Sequence, residues 1–237
     1  MARAALVTGA ARGIGRALAL GLARRGFDVA VHYRRSRTEA AATAAEVKKL
    51  GRRAVTVAAD LTNPEEARRA VERTVELLGG LAVLVNNVGD YLYKPIEVLE
   101  PDEWNHIINS NLNSAFYVTQ PALSHLQAGG WGRVVFVGYA GAGQMVAKPH
   151  ITPYFVAKTG LILYARALAE RLADRGVTVN VVSPGVAENS MTQPLEEVPM
   201  GRAAYLSELE EAVGFFVSEK ADYVTGQVLE VAGGWNL

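Results

Sequence analysis

The residues Thr8-Gly-Ala-Ala-Arg-Gly-Ile-Gly15 decide the fold of this chain. They connect the apolar, strand-like run Ala4–Thr8 to a helical pattern over Gly13–Arg25. Glycines in such a turn let the backbone pass close to a pyrophosphate, which the free N–H groups at a helix N-terminus attract. The alternative is a tight turn that needs glycine only for its backbone angles, but the position after a first strand favours a dinucleotide site. The predicted contacts are Gly9, Arg12, Gly13, Ile14 and Gly15.

Short β-branched runs alternate with helical patterns along the rest of the chain. Because each run is nearly continuously apolar, the sequence predicts a parallel sheet with helices covering both faces. The predicted strands are Ala4–Thr8, Val29–Tyr33, Ala54–Ala58, Val83–Asn86, Val134–Val137, Val177–Val182 and Val228–Val231. The predicted helices are Gly13–Arg25, Thr38–Leu50, Pro64–Leu78, Asp102–Gln127, Thr152–Arg175 and Leu206–Ser218, with Asn63 and Thr152 as N-caps. We therefore predict an α/β fold, a single Rossmann-type domain over residues 1–237 with a doubly wound sheet of about seven strands.

Composition disfavours several classes of function. The 24 basic and 24 acidic side chains leave no net charge to attract nucleic acid. There is no cysteine, and the four histidines lack the spacing of metal ligands, so no metal is expected. No apolar stretch reaches membrane-spanning length, and the first strand begins too close to Met1 to leave room for a signal peptide. We expect a cytoplasmic protein that binds neither nucleic acid nor membranes.

Further motifs follow the glycine turn in a fixed order. They are Asp60-Leu61, Asn86-Asn87-Val88-Gly89, Asn111, Tyr154-x-x-x-Lys158, Ser183-Pro184-Gly185 and Tyr223-Val-Thr-Gly226. Together with the spacing Gly-x-x-x-Gly-x-Gly they resemble the short-chain dehydrogenase/reductase family over nearly the whole chain. The resemblance implies cofactor contacts from Asp60, Leu61, Asn87, Gly89, Tyr154, Lys158, Pro184, Gly185 and Val186. It also implies that Lys158 holds the nicotinamide ribose and that Asn111 helps retain a proton-relaying water.

Tyr154 and Lys158 are four residues apart in a predicted helix and therefore share a face. The lysine ammonium is expected to lower the phenol pKa from about 10 toward the working pH. A phenol tuned in this way donates a proton to a carbonyl oxygen, so Tyr154 and Lys158 are predicted catalytic residues. The family resemblance implies Asn111 as the third. The alternative is a solvated tyrosine and lysine pair without a catalytic role.

Two positions depart from the family pattern. No serine or threonine lies between Arg133 and Ile151, where the family places a catalytic serine. Counting back thirteen residues from Tyr154 puts Gly141 in its place, whereas matching the end of the strand puts Tyr139 there, either as a hydroxyl donor or as a packing residue. After the sixth strand, Asn189 stands where the family has a threonine that contacts the nicotinamide carboxamide, and an amide offers the same hydrogen bonds.

The end of the second strand predicts which dinucleotide is bound. NAD-preferring sites carry an acidic residue there, whereas this chain reads His32-Tyr-Arg-Arg-Ser-Arg37. Arg35 and Ser36, with Arg12, are expected to bind a 2′-phosphate, which favours NADP(H) over NAD(H). The alternative is a solvated basic turn.

The substrate is expected to be a small molecule or an acyl-carrier-linked compound. The first hypothesis is carbonyl reduction similar to that of 3-oxoacyl-[acyl-carrier-protein] reductases, and the second is reduction of a dihydropterin, with Tyr91 stacking on the ring. A non-catalytic dinucleotide sensor is the third. Tyr91 and Tyr139 are the candidate substrate contacts, and residues 190–204 form a candidate lid. Extra apolar residues on the two long helices predict a homotetramer or homodimer.

Overall fold

A computed structural model describes residues 3–236, which form a seven-stranded parallel sheet in the order β3-β2-β1-β4-β5-β6-β7. The strands are β1 (Ala4–Val7), β2 (Asp28–Tyr33), β3 (Ala54–Ala58), β4 (Val83–Asn86), β5 (Gly132–Val137), β6 (Val177–Pro184) and β7 (Val228–Val231). The order reverses direction between β1 and β4. The loops that follow these two strands therefore diverge and open a crevice at the carboxyl edge of the sheet.

Helices cover both faces of this sheet, as predicted. They are α1 (Gly13–Arg24), α2 (Arg37–Lys49), α3 (Pro64–Leu78), α4 (Pro101–Ile108), α5 (Ser114–Ala128), α6 (Thr152–Leu172) and α7 (Leu206–Phe216). One apolar core joins α1, α2 and α7 to the sheet, and a second joins α3, α5 and α6 to its opposite face. The fold is a doubly wound α/β sandwich. Among the described residues, no helix combines the length and hydrophobicity needed to cross a bilayer.

The central strands β1, β4, β5 and β6 are buried along their whole length, whereas the edge strands β3 and β7 are partly exposed. The predicted start of β5 at Val134 is wrong, since the strand begins at Gly132. The charged Arg133 hides this start from an apolar pattern. Its guanidinium is buried. The guanidinium carbon lies 3.9 Å from the Trp131 ring centroid, and the group pairs with Asp222.

One predicted helix cap is confirmed and one is wrong. The Asn63 side chain accepts hydrogen bonds from the N–H groups of Glu65 and Glu66 and caps α3. Thr152, in contrast, is the first residue of α6 and not its N-cap, which is Ile151. The Thr152 hydroxyl instead donates to the carbonyl of Lys148, one turn earlier.

The long helix predicted over Asp102–Gln127 is interrupted by a π-turn at Asn109–Asn113. Polar side chains in this turn bond to the helix backbone, since the Asn111 amide donates to the carbonyl of Ile107 and the Ser114 hydroxyl to that of Ser110. A π-turn adds a residue to one turn of helix and often lies at a functional site. Here it directs Asn111 inward, where the side chain is completely buried.

Candidate active site

A cleft of about 590 Å³ opens at the crevice between the ends of β1 and β4. It brings together thirteen of the predicted cofactor contacts from five separate segments of the chain. They are Gly9, Arg12, Gly13, Ile14, Gly15, Arg35, Ser36, Asp60, Leu61, Asn87, Gly89, Tyr154 and Lys158. We call this space the dinucleotide cleft.

The glycine turn at the base of the cleft is packed too closely for side chains. A Cβ atom at Gly15 would overlap the carbonyl oxygen of Gly9 and lie 2.6 Å from Asn87 Nδ2. Asn87 holds the turn in place, because its amide donates to the carbonyl of Thr8 at 2.9 Å. The Thr8 hydroxyl in turn accepts the Asn87 N–H at 2.8 Å. The backbone of β1 and β4 is thus joined where a pyrophosphate would approach.

His32 completes the support of this turn, and sequence reasoning missed it. Its Nδ1 accepts the N–H of Gly9 at 3.0 Å, and its Nε2 lies 3.1 Å from the carbonyl of Ala59, to which it donates. Burial lowers the pKa of His32 to about 4, although the Ala59 carbonyl and Asp60 favour the charged form. The imidazole is therefore neutral near pH 7 and bridges β1, β2 and β3. Its only signal in the sequence was a polar residue inside an apolar strand.

The end of β2 gives the cleft a basic rim. Arg34 lies 3.8 Å from the Asp60 carboxylate, and Arg35 is exposed beside it. Burial alone would raise the pKa of Asp60, but hydrogen bonds from Thr62 and the nearby arginines lower it below its ordinary value. Asp60 therefore stays ionised, and the Thr62 hydroxyl donates to it at 2.7 Å.

Tyr154 and Lys158 lie on one face of α6, at the inner end of the cleft. The Lys158 Nζ is 5.3 Å from the centroid of the Tyr154 ring and donates to the carbonyl of Val137 at 2.9 Å. Burial raises the pKa of Tyr154 above its ordinary value and lowers that of Lys158 to about 8. In this structure the phenol pKa is raised and not lowered as predicted, because desolvation by burial dominates it. The phenol is held in its protonated, donating form.

Asn111 does not line the cleft but lies directly behind it. Its Nδ2 donates to the carbonyl of Asp90 at 2.8 Å, whereas its buried Oδ1 has no hydrogen-bond partner within residues 3–236. A side chain at Gly89 would collide with this oxygen, and it would lie 3.4 Å from Lys158 Nζ. The glycine thus leaves open a polar space between Asn111 and Lys158.

A second space of about 180 Å³, the inner cavity, adjoins the cleft. Pro184, Gly185 and Val186 line it, as do both candidate substrate contacts, Tyr91 and Tyr139. The rings of these tyrosines lie edge to face with Tyr154, at 5.1 Å and 5.5 Å between centroids. Tyr154 itself lines both the cleft and the inner cavity.

Comparison with known proteins agrees with this geometry. Residues 9–236 match the family model described as Enoyl-(Acyl carrier protein) reductase. The 3-oxoacyl-[acyl-carrier-protein] reductase of Staphylococcus aureus is 34% identical over 99% of this chain and 98% of its own length. The chain belongs to the short-chain dehydrogenase/reductase family. The family resemblance read from the motifs and the predicted fold class are confirmed.

Two solved structures similar to this chain contain NADP or NADPH. A short-chain dehydrogenase from Burkholderia cenocepacia, solved in complex with NADP, has a TM-score of 0.92 and is 34% identical, with 99% of this chain and 98% of that one covered. A blue fluorescent protein from a metagenomic library, solved in complex with NADPH, has a TM-score of 0.93 and is 32% identical over the same shares. The protein is an NAD(P)-dependent oxidoreductase of this short-chain family.

The structure locates Tyr139 and Asn189, the two residues that depart from the short-chain dehydrogenase/reductase pattern. Tyr139 packs against Tyr154, Phe155 and Trp235, and burial raises the pKa of its hydroxyl. Asn189 lines the cleft, and a Cβ at Gly13 would lie 2.8 Å from its Nδ2. Its amide thus reaches the glycine turn from the far side of the site.

Two further residues line the inner cavity, Thr192 and Trp235, and sequence reasoning missed the second of them. Thr192 belongs to the candidate lid, but Trp235 comes from the C-terminal segment after β7. No motif marked this tryptophan, and its proximity to Tyr139 depends on how distant loops pack together.

Proposed function

We propose that the protein reduces a carbonyl group to an alcohol with NADPH, using Tyr154 as the proton donor. The observation that carries the proposal is the position of Tyr154, which lines both the dinucleotide cleft and the inner cavity. A group at this boundary reaches cofactor and substrate at once, as an acid in a hydride transfer must.

The residues of the cleft fit NADP(H). The glycine turn leaves room for a pyrophosphate, and Arg12, Arg35 and Ser36 line the cleft where an adenosine 2′-phosphate would be bound. The NADP and NADPH complexes of the two solved relatives support this choice over NAD(H). When bound, the nicotinamide supplies the hydride that the carbonyl carbon accepts.

The chain's own residues account for the proton. The raised pKa keeps the Tyr154 phenol protonated until an alkoxide, a much stronger base, develops beside it. The proton then moves from Tyr154 to the carbonyl oxygen, and the Lys158 ammonium, 5.3 Å from the ring, stabilises the phenolate that is left. The polar space between Asn111 and Lys158 suits a water that returns the proton.

Two substrates are proposed for this site. The first is a 3-oxoacyl thioester, because relatives that match almost the whole chain are named 3-oxoacyl-[acyl-carrier-protein] reductases. The second is a dihydropterin, and the observation that favours it is the pair of tyrosine rings, Tyr91 and Tyr139, that flank Tyr154. Aromatic rings at these positions offer a flat heterocycle edge and face contacts.

The test is oxidation of NADPH, with NADH in parallel, in the presence of one 3-oxoacyl thioester or one dihydropterin. Tyr154→Phe is compared with the wild type, and Tyr223→Phe serves as the matched control because Tyr223 is fully exposed and remote from the cleft. Loss of thioester reduction in Tyr154→Phe alone supports the first substrate, and activity on the pterin alone supports the second. Activity that survives Tyr154→Phe refutes the mechanism, and NADPH binding without turnover would indicate a non-catalytic sensor.

We also propose that the chain assembles as a homotetramer or homodimer through α5 and α6. Phe116, Val156 and Leu163 are 44%, 43% and 64% exposed on these helices, so a second copy of the chain packed against them would bury apolar surface. Leu163→Glu should therefore lower the mass measured by light scattering. An unchanged mass would assign the assembly to another surface.

A further inference from the structure

An outer cavity of about 340 Å³ lies beyond the inner cavity. The two share four lining residues: Tyr91, Tyr139, Thr192 and Trp235. These residues therefore stand where the inner and outer cavities meet, and we call them the neck. Three of the four are aromatic, so a substrate that reaches Tyr154 from the outer cavity must pass aromatic rings.

Trp235 is held in the neck by one side-chain hydrogen bond and one ring contact. Its indole N–H donates to the Glu197 carboxylate at 3.0 Å, in the candidate lid, and its ring lies edge to face with Tyr139 at 5.7 Å between centroids. Side chains with one defined position can select substrates by shape, because they do not move aside for a poor fit.

The residues on either side of Trp235 fasten the C-terminal segment to both neighbouring loops. The Gly233 carbonyl accepts the N–H of Met200 at 3.1 Å, which ties it to the lid. Asn236 donates to the carbonyl of Ala140 at 3.3 Å and accepts from Lys148 Nζ at 3.1 Å, which ties it to the loop after β5. These bonds hold the segment that carries Trp235 in place and so set the width of the neck.

The charges around the neck do not favour a carrier-linked substrate. Lys148 and Glu197 line the outer cavity with opposite charges. Burial raises the pKa values of Tyr91 and Tyr139, so both hydroxyls are neutral. A phosphate-bearing arm or an acidic carrier protein would therefore meet no excess of positive charge here.

We infer that Trp235 is a specificity-determining residue, and that the aromatic neck selects planar, ring-bearing carbonyl compounds over flexible carrier-linked acyl chains. Flat rings gain edge and face contacts with the three aromatic side chains. An acyl chain gains less and loses more conformational freedom in the same passage. The inference rests on the proposed carbonyl reduction but favours a ring-bearing substrate over the 3-oxoacyl thioester, which only the names of relatives support. The carbonyl carbon accepts hydride from NADPH and its oxygen accepts the Tyr154 proton, which yields a ring-bearing alcohol and NADP⁺.

The experiment compares kcat/KM with NADPH for isatin, a planar bicyclic carbonyl compound, and for the 3-oxobutanoyl and 3-oxodecanoyl thioesters of N-acetylcysteamine. The variants are Trp235→Ala and Trp235→Phe, with Trp104→Phe on α4 as the matched control, because Trp104 lines neither cavity. Wild type should prefer isatin. Trp235→Ala should lower kcat/KM for isatin about tenfold and leave that for 3-oxodecanoyl thioester equal or higher, while Trp235→Phe and Trp104→Phe stay within about threefold of wild type.

Titration calorimetry measures the binding of isatin in the presence and absence of NADP⁺. This measurement tests the inference separately from the proposed function. Weaker binding in Trp235→Ala alone supports the neck even if no carbonyl is reduced, in which case only the proposed reduction fails. Tyr154-dependent reduction with the same substrate preference in wild type and Trp235→Ala overturns the neck and leaves the reduction intact. Wild-type preference for the longer thioester, or equal isatin affinity in all variants, also overturns it.

Discussion

The dinucleotide cleft and the neck lie on either side of Tyr154, but they are built in different ways. The cleft is held by hydrogen bonds between the backbone at the ends of β1 to β4 and the side chains of Thr8, His32 and Asn87. The neck is held by ring contacts of Tyr139 with Tyr154 and Trp235, which bring together the loop after β5, helix α6 and the C-terminal segment. The comparison teaches that the cleft tolerates little change in its backbone, whereas the neck can be altered one side chain at a time.

The largest effect is expected when a methyl group is added in the cleft. Gly15→Ala places a Cβ against the Gly9 carbonyl, so it should lower NADPH affinity about 100-fold, or about 2.7 kcal/mol, and reduce Tm. Gly143→Ala, in the loop after β5, is the matched control, because its Cβ would meet its nearest neighbour at 3.9 Å and the residue does not line the cleft. Titration calorimetry and thermal unfolding measure both. Equal losses in the two variants would show that the effect is not specific to the cleft.

Replacing His32 should break the bridge below the glycine turn. His32→Phe leaves the Gly9 N–H and the Ala59 carbonyl without partners, which should cost about 2 to 4 kcal/mol in the free energy of unfolding and weaken NADPH binding. Trp235→Ala should leave NADPH affinity unchanged. Urea unfolding and calorimetry provide the measurements, and a loss of stability without weaker NADPH binding would mean that His32 supports the fold but not the cleft.

The same histidine makes stability depend on pH. Its pKa is about 4 in the folded protein against an ordinary value of 6.5. Between these values the unfolded chain binds a proton that the native state does not, so stability should fall as the pH drops from 6.5 toward 4. His32→Phe should lack this part of the pH dependence. The difference between the two urea-unfolding profiles checks it, and parallel profiles would contradict a buried neutral imidazole.

The basic rim should give a smaller effect that is specific to the cofactor. Arg35→Gln should raise KM for NADPH three- to tenfold, about 1 kcal/mol, because Arg35 is exposed and its charge is screened. KM for NADH should change little, and Arg37→Gln is the control because Arg37 does not line the cleft. An equal rise in KM for NADH would show that Arg35 does not bind the 2′-phosphate selectively.

The smallest effect on activity concerns the protonation of Lys158, which lies between the cleft and the neck. Its pKa of about 8 lies below the ordinary 10.5, so the native state loses this proton first. Activity should fall about twofold at pH 8 as the ammonium is lost, while stability rises between pH 8 and 10.5 because the unfolded chain binds more protons there. Lys158→Met should show no such rise. Activity and urea-unfolding profiles measure both, and a stability curve equal to that of the variant would contradict the lowered pKa.

Much of the fold could be predicted because it depends on local patterns. Runs such as Val83-Leu84-Val85 are apolar throughout, and helix ends such as Asn63-Pro64 and Gly79 carry cap residues. The π-turn at Asn109–Asn113 was not predicted, since one added residue shifts the apolar spacing of a long helix only slightly. The start of β5 was missed because the charged Arg133 is buried by its pairing with the distant Asp222 as well as by the nearby Trp131 ring.

The residues of the candidate site also fall into those that local motifs indicate and those that only tertiary contacts bring together. The residues of the cleft were proposed from motifs, and the structure gathers them around one space. The pKa of Tyr154 was predicted in the wrong direction, because the spacing to Lys158 is visible in the sequence but the desolvation of both groups is not. Trp235 was not found at all.

The sequence by itself determined the α/β class, the doubly wound sheet of about seven strands and the glycine turn expected to face a dinucleotide. These follow from residues close together in the chain, where hydrophobic period, glycine and helix caps act locally. Only the tertiary structure decided the protonation of Tyr154 and Lys158, the bridge made by His32 and the aromatic neck around Trp235. Each of these depends on burial and on contacts between loops far apart in sequence, and neither quantity exists until the chain has folded.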